Sequence, residues 1–390
     1  MENNKLLIIL AAAGLYLLSA GISYFAFSHV SGRSTSTATI PTTSNNGYDA
    51  LEFDQTAPKT EECPLNGAMY SKAQRSWWEK HRPLAVMVEN STDSRPQSGI
   101  SFADVVYEAI AEGGITRTMN VYYCQDAGII GPVRSARTYF LDYLSEYGSF
   151  PLYAHVGGAN TPGPANALGQ IDDYGWSSYN DLNQFSIGFP TFKRDESRLG
   201  RAVATEHTMY STSGGLWKVG AGRGLTNKDK DGDSWDDDFV KYTFSDDAGV
   251  SGRGTIQKVT VIFWDGQPDY VVTWNYDKAT NTYLRLNGGK AHLDNNTKKQ
   301  LAPKNIVVLY EKESRANDGY EGNLHELFGT KGTGTALVFQ NGQEIQATWK
   351  KAGREARTEL IDRKTGKEIS FVRGQIWFQI VPTYSDVVVQ

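Results

Sequence analysis

Cysteine is scarce in this chain, which has only Cys63 and Cys124 among its 390 residues. Neither lies near the N-terminal apolar stretch, so no lipoprotein cleavage site is present there. Neither sits in a Cys/His arrangement that would mark a thiol nucleophile. Basic runs are missing as well. With a net charge of -5 and no stripe of Lys and Arg, general nucleic-acid binding is not expected, nor is attachment to anionic lipid by charge alone. No Gly-x-Ser-x-Gly elbow, His-Glu-x-x-His pair or Walker loop occurs, and there is no repeat of fixed period.

What is present has a globular balance, 39% hydrophobic and 21% charged, with apolar material for one large or two medium domains. One stretch is different. Leu6 to Phe27 carries no formal charge, and as a helix it would span roughly 30 Å, the thickness of a bilayer core. Tyr24, Phe25 and Phe27 sit at its far end, where aromatic rings suit an interface. A cleaved signal peptide is the alternative, but its apolar core would be unusually long and no Ala-x-Ala site follows. The expectation is a single-pass membrane anchor over residues 1–30. Lys5 before it and Arg33 after it give only a weak positive-inside bias. A polar stalk over 31–62, opening with SGRSTSTATIPTTSNN, places the large region outside the cytoplasm. In that oxidising setting Cys63 and Cys124 could form a disulfide; two buried free thiols are the other reading.

Two folded regions are expected. The first, 63–250, alternates strand-like runs (Arg82 to Glu89, Asp104 to Ile110, Ile115 to Tyr123, Phe150 to Val156) with a helix over Ser135 to Tyr147. Ser135 would cap that helix and Gly148 would stop it. This predicts an α+β or α/β domain. The second region, 251–390, is β-rich. Its strand candidates are Thr255 to Trp264, Tyr270 to Tyr276, Asn305 to Tyr310, Thr335 to Gln340, Ile345 to Trp349 and Gln375 to Val381, with hairpin turns at Asn341-Gly342 and Lys364-Thr365-Gly366.

Three groups of residues could carry chemistry. In GPVRSAR, at the predicted helix start, Arg134, Ser135 and Arg137 could hold an anion against unpaired backbone N–H groups, with Arg117 of EGGITR a further candidate ligand. Alternatively the arginines pair with Glu89, Glu108 or Glu112. Glu108 and Glu112 could also act as acid and base in glycoside cleavage, with His155 as a general base and His207 as a weaker candidate. A lone His at a strand end is more often an ordinary polar residue. Third, NKDKDGDSWDDD spaces oxygen ligands as a calcium loop does: Asn227, Asp229, Asp231, Asp233, Asp236 and Asp238, with Gly232 at the tight turn. Asn at the first position and Asp at the last weaken the match, and the flanks do not read as helices. A solvated acidic loop is the competing reading.

Several motifs recur in order: RPLAVMVEN, RPQSGI, ADVVYEAIAEGGITR, IGPVRSAR, HVGG, then VTWNYDKATNTYLR and ALVFQNGQEIQATWKK. Together they resemble the bacterial YerB-like family, a domain of unknown function followed by its own C-terminal domain, over most of residues 63 to 385. The resemblance implies export, usually as a lipoprotein. Lacking a lipidation cysteine, this chain is expected to rely on its helix. The resemblance implies no particular activity. Two functions compete: binding of an anionic cell-wall polymer or envelope protein, or hydrolase or transferase chemistry on envelope glycans.

Overall fold

Strands from both halves of the sequence hydrogen-bond into one sheet. The computed structural model describes residues 49–390, together with the backbone pairing of Thr42–Thr43 with Leu51–Glu52. The expected anchor and most of the stalk lie outside the described residues. Among the described residues, no helix is long and apolar enough to cross a membrane. The chain is strand-rich with few helices, as expected for its second half and more so than expected for its first.

The large sheet has ten strands. In chain order they are β1 (Leu84–Glu89), β2 (Val105–Glu112), β3 (Ile115–Tyr122), β4 (Leu152–His155), β5 (Asp181–Asn183), β6 (Asn305–Glu311), β7 (Gly332–Gln340), β8 (Gln343–Lys351), β9 (Glu359–Asp362) and β10 (Ile376–Pro382). Their spatial order is β5-β4-β1-β3-β2-β10-β6-β7-β8-β9. The seam lies between β2 and β10, which pair in parallel with Val105 opposite Ile376. The division expected near residue 250 is thus one of sequence, across which the hydrogen-bonded ladder is continuous. Strands β1 and β10 are buried along their whole length, and β2 is buried up to Ala111. Such unbroken burial suits strands covered on both faces, whereas half-solvated strands alternate.

Alternation does appear in a second, five-stranded antiparallel sheet built on Lys258–Ile262, Val272–Asp277 and Thr282–Asn287 and closed by the C-terminal strand Asp386–Val389. Its inward face meets the large sheet where Trp274 packs edge-on to Trp377, ring centres 5.2 Å apart. The Asn341-Gly342 turn joins β7 to β8 as expected, with positive φ at both residues (53° and 66°), the twist that two-residue hairpins require.

Helices cover the first half. The one expected over Ser135 to Tyr147 runs only over Thr138–Leu144, with Arg137 at its N-cap and no side-chain cap. Residues 133–136 are extended instead. Val133 bridges to Val88, Ala136 to Gly158, and the Arg134 N–H donates to Met87 O. Sheet-type bonds have claimed the backbone that a longer helix would have used. A further helix, Ser213–Gly222, carries little local signal, because SGGLWKVGAG has low helix propensity. Packing supports it: a Cβ on Gly220 would meet a Leu152 methyl at 2.7 Å, so the helix lies close on β4.

Cys63 and Cys124 form a disulfide with Cα atoms 5.9 Å apart, both fully buried. It ties the start of the folded region to the end of β3. Asp104 lies beside it, accepting hydrogen bonds from the Tyr123 and Cys124 amides at 2.8 and 2.9 Å and from the Asn66 side chain at 2.9 Å.

Candidate functional site

Strands β1, β4 and β5 are mutually parallel, and β2 runs the same way because β3 lies antiparallel between it and β1. Their carboxyl ends therefore share one edge, where Glu89, Glu112, His155 and Asn183 terminate β1, β2, β4 and β5. Ligands of open parallel sheets bind outside such ends, at points where the topology changes direction. Arg117, near the start of β3, stands opposite Glu89 in register. The extended segment 133–136 runs past the same edge and brings Arg134 and Arg137.

The charges there are largely matched. Glu112 takes both Arg117, at 3.2 Å, and Arg137 in a close contact, while a second Arg117 nitrogen donates to Ser135 O at 3.0 Å. Glu89 faces Arg134 at 3.6 Å and His207 Nδ1 at 2.9 Å. Burial pushes the pKa of Arg117 and Arg137 down, with the nearby Tyr139 opposing. Of the three guanidiniums only Arg134 is appreciably open, its side chain 29% exposed. The pairing reading of these arginines describes their positions, with Glu89 and Glu112 as the partners. Ser135 is half-buried and does not cap the helix, which starts three residues later. A seven-residue helix beginning at Thr138 leaves no helix-end anion site at Ser135, so that expectation is corrected.

The three acid/base candidates are not equivalent. His155 is fully buried, with Nε2 2.5 Å from Asp181 Oδ1 and Nδ1 2.6 Å from Gly157 O. Glu112 is held between two arginines. Glu108 lies within β2, away from the strand ends, and is fully buried in a network from both halves of the chain. Its Oε1 meets Arg285 at 2.8 Å and Thr116 at 3.0 Å, and its Oε2 meets Trp377 Nε1 at 3.0 Å. Arg285 is stacked between Trp274 and Trp377, its guanidinium carbon 4.9 and 4.5 Å from the ring centres. Glu108 is an internal counter-ion with no access to substrate. With Glu108 fully buried and Glu112 paired with Arg117 and Arg137, neither carboxyl is free to flank a glycosidic bond as the acid/base pair of glycoside cleavage does.

Sequence reading passed over Arg285, His292 and Asp181. A signal existed for Arg285: in TYLRLN the inward positions are Tyr283, Arg285 and Asn287, all buried, so an arginine stood where an apolar residue belongs. Asp181 had none, because its strand is three residues long.

The acidic loop is a tight turn. The Asp229 carboxylate accepts from the Asp231 and Asp233 amides at 2.9 and 3.1 Å, Gly232 has φ 93°, and Lys228 bridges to Ser234. Among the described residues, the acidic side chains of 227–238 do not converge into a group of three oxygens. Among the described residues, the one group of three candidate ligand atoms is that of Cys63, Asp104 and Cys124, whose sulfurs are spent on the disulfide. Trp235 anchors the loop, buried beside Tyr123 and Phe239, with its carbonyl accepting from Ser149 N at 2.8 Å.

Similar proteins share this architecture. The chain is 29% identical over 324 residues to the Bacillus subtilis protein described as "Putative lipoprotein YerB", covering 83% of this chain and 87% of the relative. The crystal structure of YerB from Bacillus subtilis superposes with a TM-score of 0.67 at 25% identity, covering 84% of this chain and all of that one. Residues 70–226 match the domain described as "Protein of unknown function (DUF3048) N-terminal domain", and residues 259–378 match its C-terminal domain. With both domains present in order, the chain belongs to the DUF3048 family.

Proposed function

We propose that this is a membrane-tethered, extracytoplasmic protein of the cell envelope that binds an anionic envelope polymer at the carboxyl edge of its large sheet. The location is supported by the lipoprotein description of the Bacillus subtilis relative and by the disulfide, a bond that persists in oxidising compartments. Both cysteines of the chain are in that bond. No thiol remains for a lipid, so the apolar stretch Leu6 to Phe27 is the proposed anchor.

The observation carrying the binding reading is the gathering of Arg117, Arg134 and Arg137 at one edge against two carboxylates, Glu89 and Glu112. One guanidinium is in surplus, and the loosely paired, partly open Arg134 is the one a polymer could reach. Phe185, 77% exposed, lies against the Gly157 turn beside this edge and offers an apolar ring face to a sugar. Hydrolysis is less well supported, because Glu108 and His155 are sealed and Glu112 is held by two cations. Retention of purified anionic wall glycan tests the reading. Wild type binds, and Arg134→Ala weakens binding while preserving the fold. Equal retention by the variant rejects the edge as the binding surface.

The loop 227–238 is proposed as a structural calcium site. Its support is the oxygen spacing, the turn at Gly232, and the position of Trp235, through which an ordered loop would hold core packing in place.

A further inference from the structure

A second place in the molecule has an unbalanced buried charge, and it uses none of the residues of the carboxyl edge. Behind the Glu108–Arg285 pair lies Arg95. Its Nε donates to Asn90 Oδ1 at 3.1 Å and its two terminal nitrogens to Asn90 O at 2.9 Å and Asp269 O at 3.0 Å. All three acceptors are neutral oxygens, and among the described residues Arg95 has no carboxylate in ion-pair contact. His292 cannot add or remove charge there: its Nδ1 accepts from Arg285 Nε at 2.9 Å while Nε2 meets Gln97 Oε1 at 2.7 Å. Burial and the two neighbouring arginines push its pKa far down, so the ring stays neutral. Arg285 is thus matched by Glu108, and Arg95 is left without a carboxylate partner of its own. Desolvation lowers its pKa only to about 10, which leaves it charged at neutral pH.

That cation lines a cavity of about 320 Å³ formed between the two family domains. Arg201 and Lys290 also line it, against a single lining acid, Asp269. Arg201 donates one terminal nitrogen to the Asp93 carbonyl at 2.8 Å and faces the Asp93 carboxylate with the other at 3.6 Å, at an exposed position; Lys290 has no ion pair among the described residues. On the wall, Asn287 is 2% exposed, and its Nδ2 is committed to Asn90 Oδ1 at 3.0 Å. Its Oδ1 is buried without a partner in the protein, a state that costs free energy until a donor arrives.

We propose that this cavity is a binding site for a small hydroxylated anion, a phosphate ester or a sugar carboxylate. Arg95, Arg201 and Lys290 hold the anionic group, and a small rotation of the Asn287 amide, whose Oδ1 is covered in this structure, lets it accept from a ligand hydroxyl. Arginine's fork suits either oxyanion, and the desolvated floor strengthens each charge-assisted bond. The volume admits a ligand the size of a glycerol phosphate or a single hexuronate, and the ligand would bridge both domains.

The test is calorimetric titration of the full chain with inorganic phosphate, glycerol 3-phosphate and glucuronate. Saturable binding is expected for at least one hydroxylated anion, tighter than for inorganic phosphate; whichever binds better identifies the source as ester or uronate. Lys290→Ala and Arg201→Ala, both at exposed positions, each weaken it about three- to tenfold. Arg95→Gln abolishes it, with circular dichroism reporting whether the fold is kept. Absence of saturable binding at millimolar ligand, or wild-type affinity in both exposed variants, overturns the site. Phosphate binding as tightly as its hydroxylated ester overturns the role of Asn287. Because these probes are small, a polymer that fails to bind the carboxyl edge leaves this result unaffected.

Discussion

Glu108 and Arg285, 177 residues apart, form an ion pair 2.8 Å long with neither side chain exposed. The pair joins β2 to the second sheet and sits beside the β2–β10 seam, through Trp377 on β10. It fastens the two family domains to each other through two fully buried side chains.

Removing one partner strands the other as a buried charge. Glu108→Ala is expected to destabilise the protein by about 3–5 kcal/mol. Chemical denaturation should show a lower midpoint, and the double variant Glu108→Gln with Arg285→Met should recover part of the loss. A Glu108→Ala midpoint equal to wild type would remove the pair from the seam's energetics.

The disulfide closes a loop with a sequence separation of 61. Chain entropy alone assigns it about 4 kcal/mol. Denaturation with and without reductant, or of Cys63→Ala with Cys124→Ala, should show a loss of that order. Unchanged stability would mean that the core around Leu65 and Tyr123 holds the segment without the bond.

Two buried carboxyls make stability depend on pH. Burial outweighs the hydrogen bonds to Asp104 and pushes its pKa up to about 7. Burial also pushes Glu311 up to about 8, against the opposing hydrogen bond from the Tyr143 hydroxyl. In the unfolded chain both titrate near about 4. The folded state therefore holds these protons more tightly, so the stability they contribute is fullest below about pH 4 and is lost as pH rises through about 7 to 8. Melting temperatures measured from about pH 5 to 9 should fall on the alkaline side, and Glu311→Gln, which cannot ionise, should flatten that limb. Parallel curves for wild type and variant would contradict the assignment.

If the acidic loop takes calcium, the ion binds the folded form and raises the melting temperature by mass action. Even an affinity in the range of about 10⁻⁴ to 10⁻³ M suffices outside a cell. Isothermal titration should give a calcium heat that Asp231→Ala removes. A heat indifferent to that substitution would leave 227–238 an acidic turn held by Trp235.

Much of the strand content could be read locally. The runs LAVMVE and NIVVLY announce buried strands by composition, and Asn341-Gly342 announces its hairpin, because apolar periodicity and turn dihedrals are properties of neighbouring residues. The arginines of GPVRSAR could be recognised as charged groups needing partners. Which carboxylate each would meet could not, since that depends on strand ends brought together from positions 89, 112 and 155.

By itself, then, the order of amino acids determined the strands, the hairpin, the pair of cysteines able to bond and the motifs of a family. Only the tertiary structure decided that β2 neighbours β10, that Glu108 is a sealed counter-ion rather than an acid catalyst, that the helix waits until Thr138, and that Arg95 is left over. The reason is physical: local propensity acts over a few residues, whereas the fate of a charge is set by whatever distant groups share its low-dielectric surroundings.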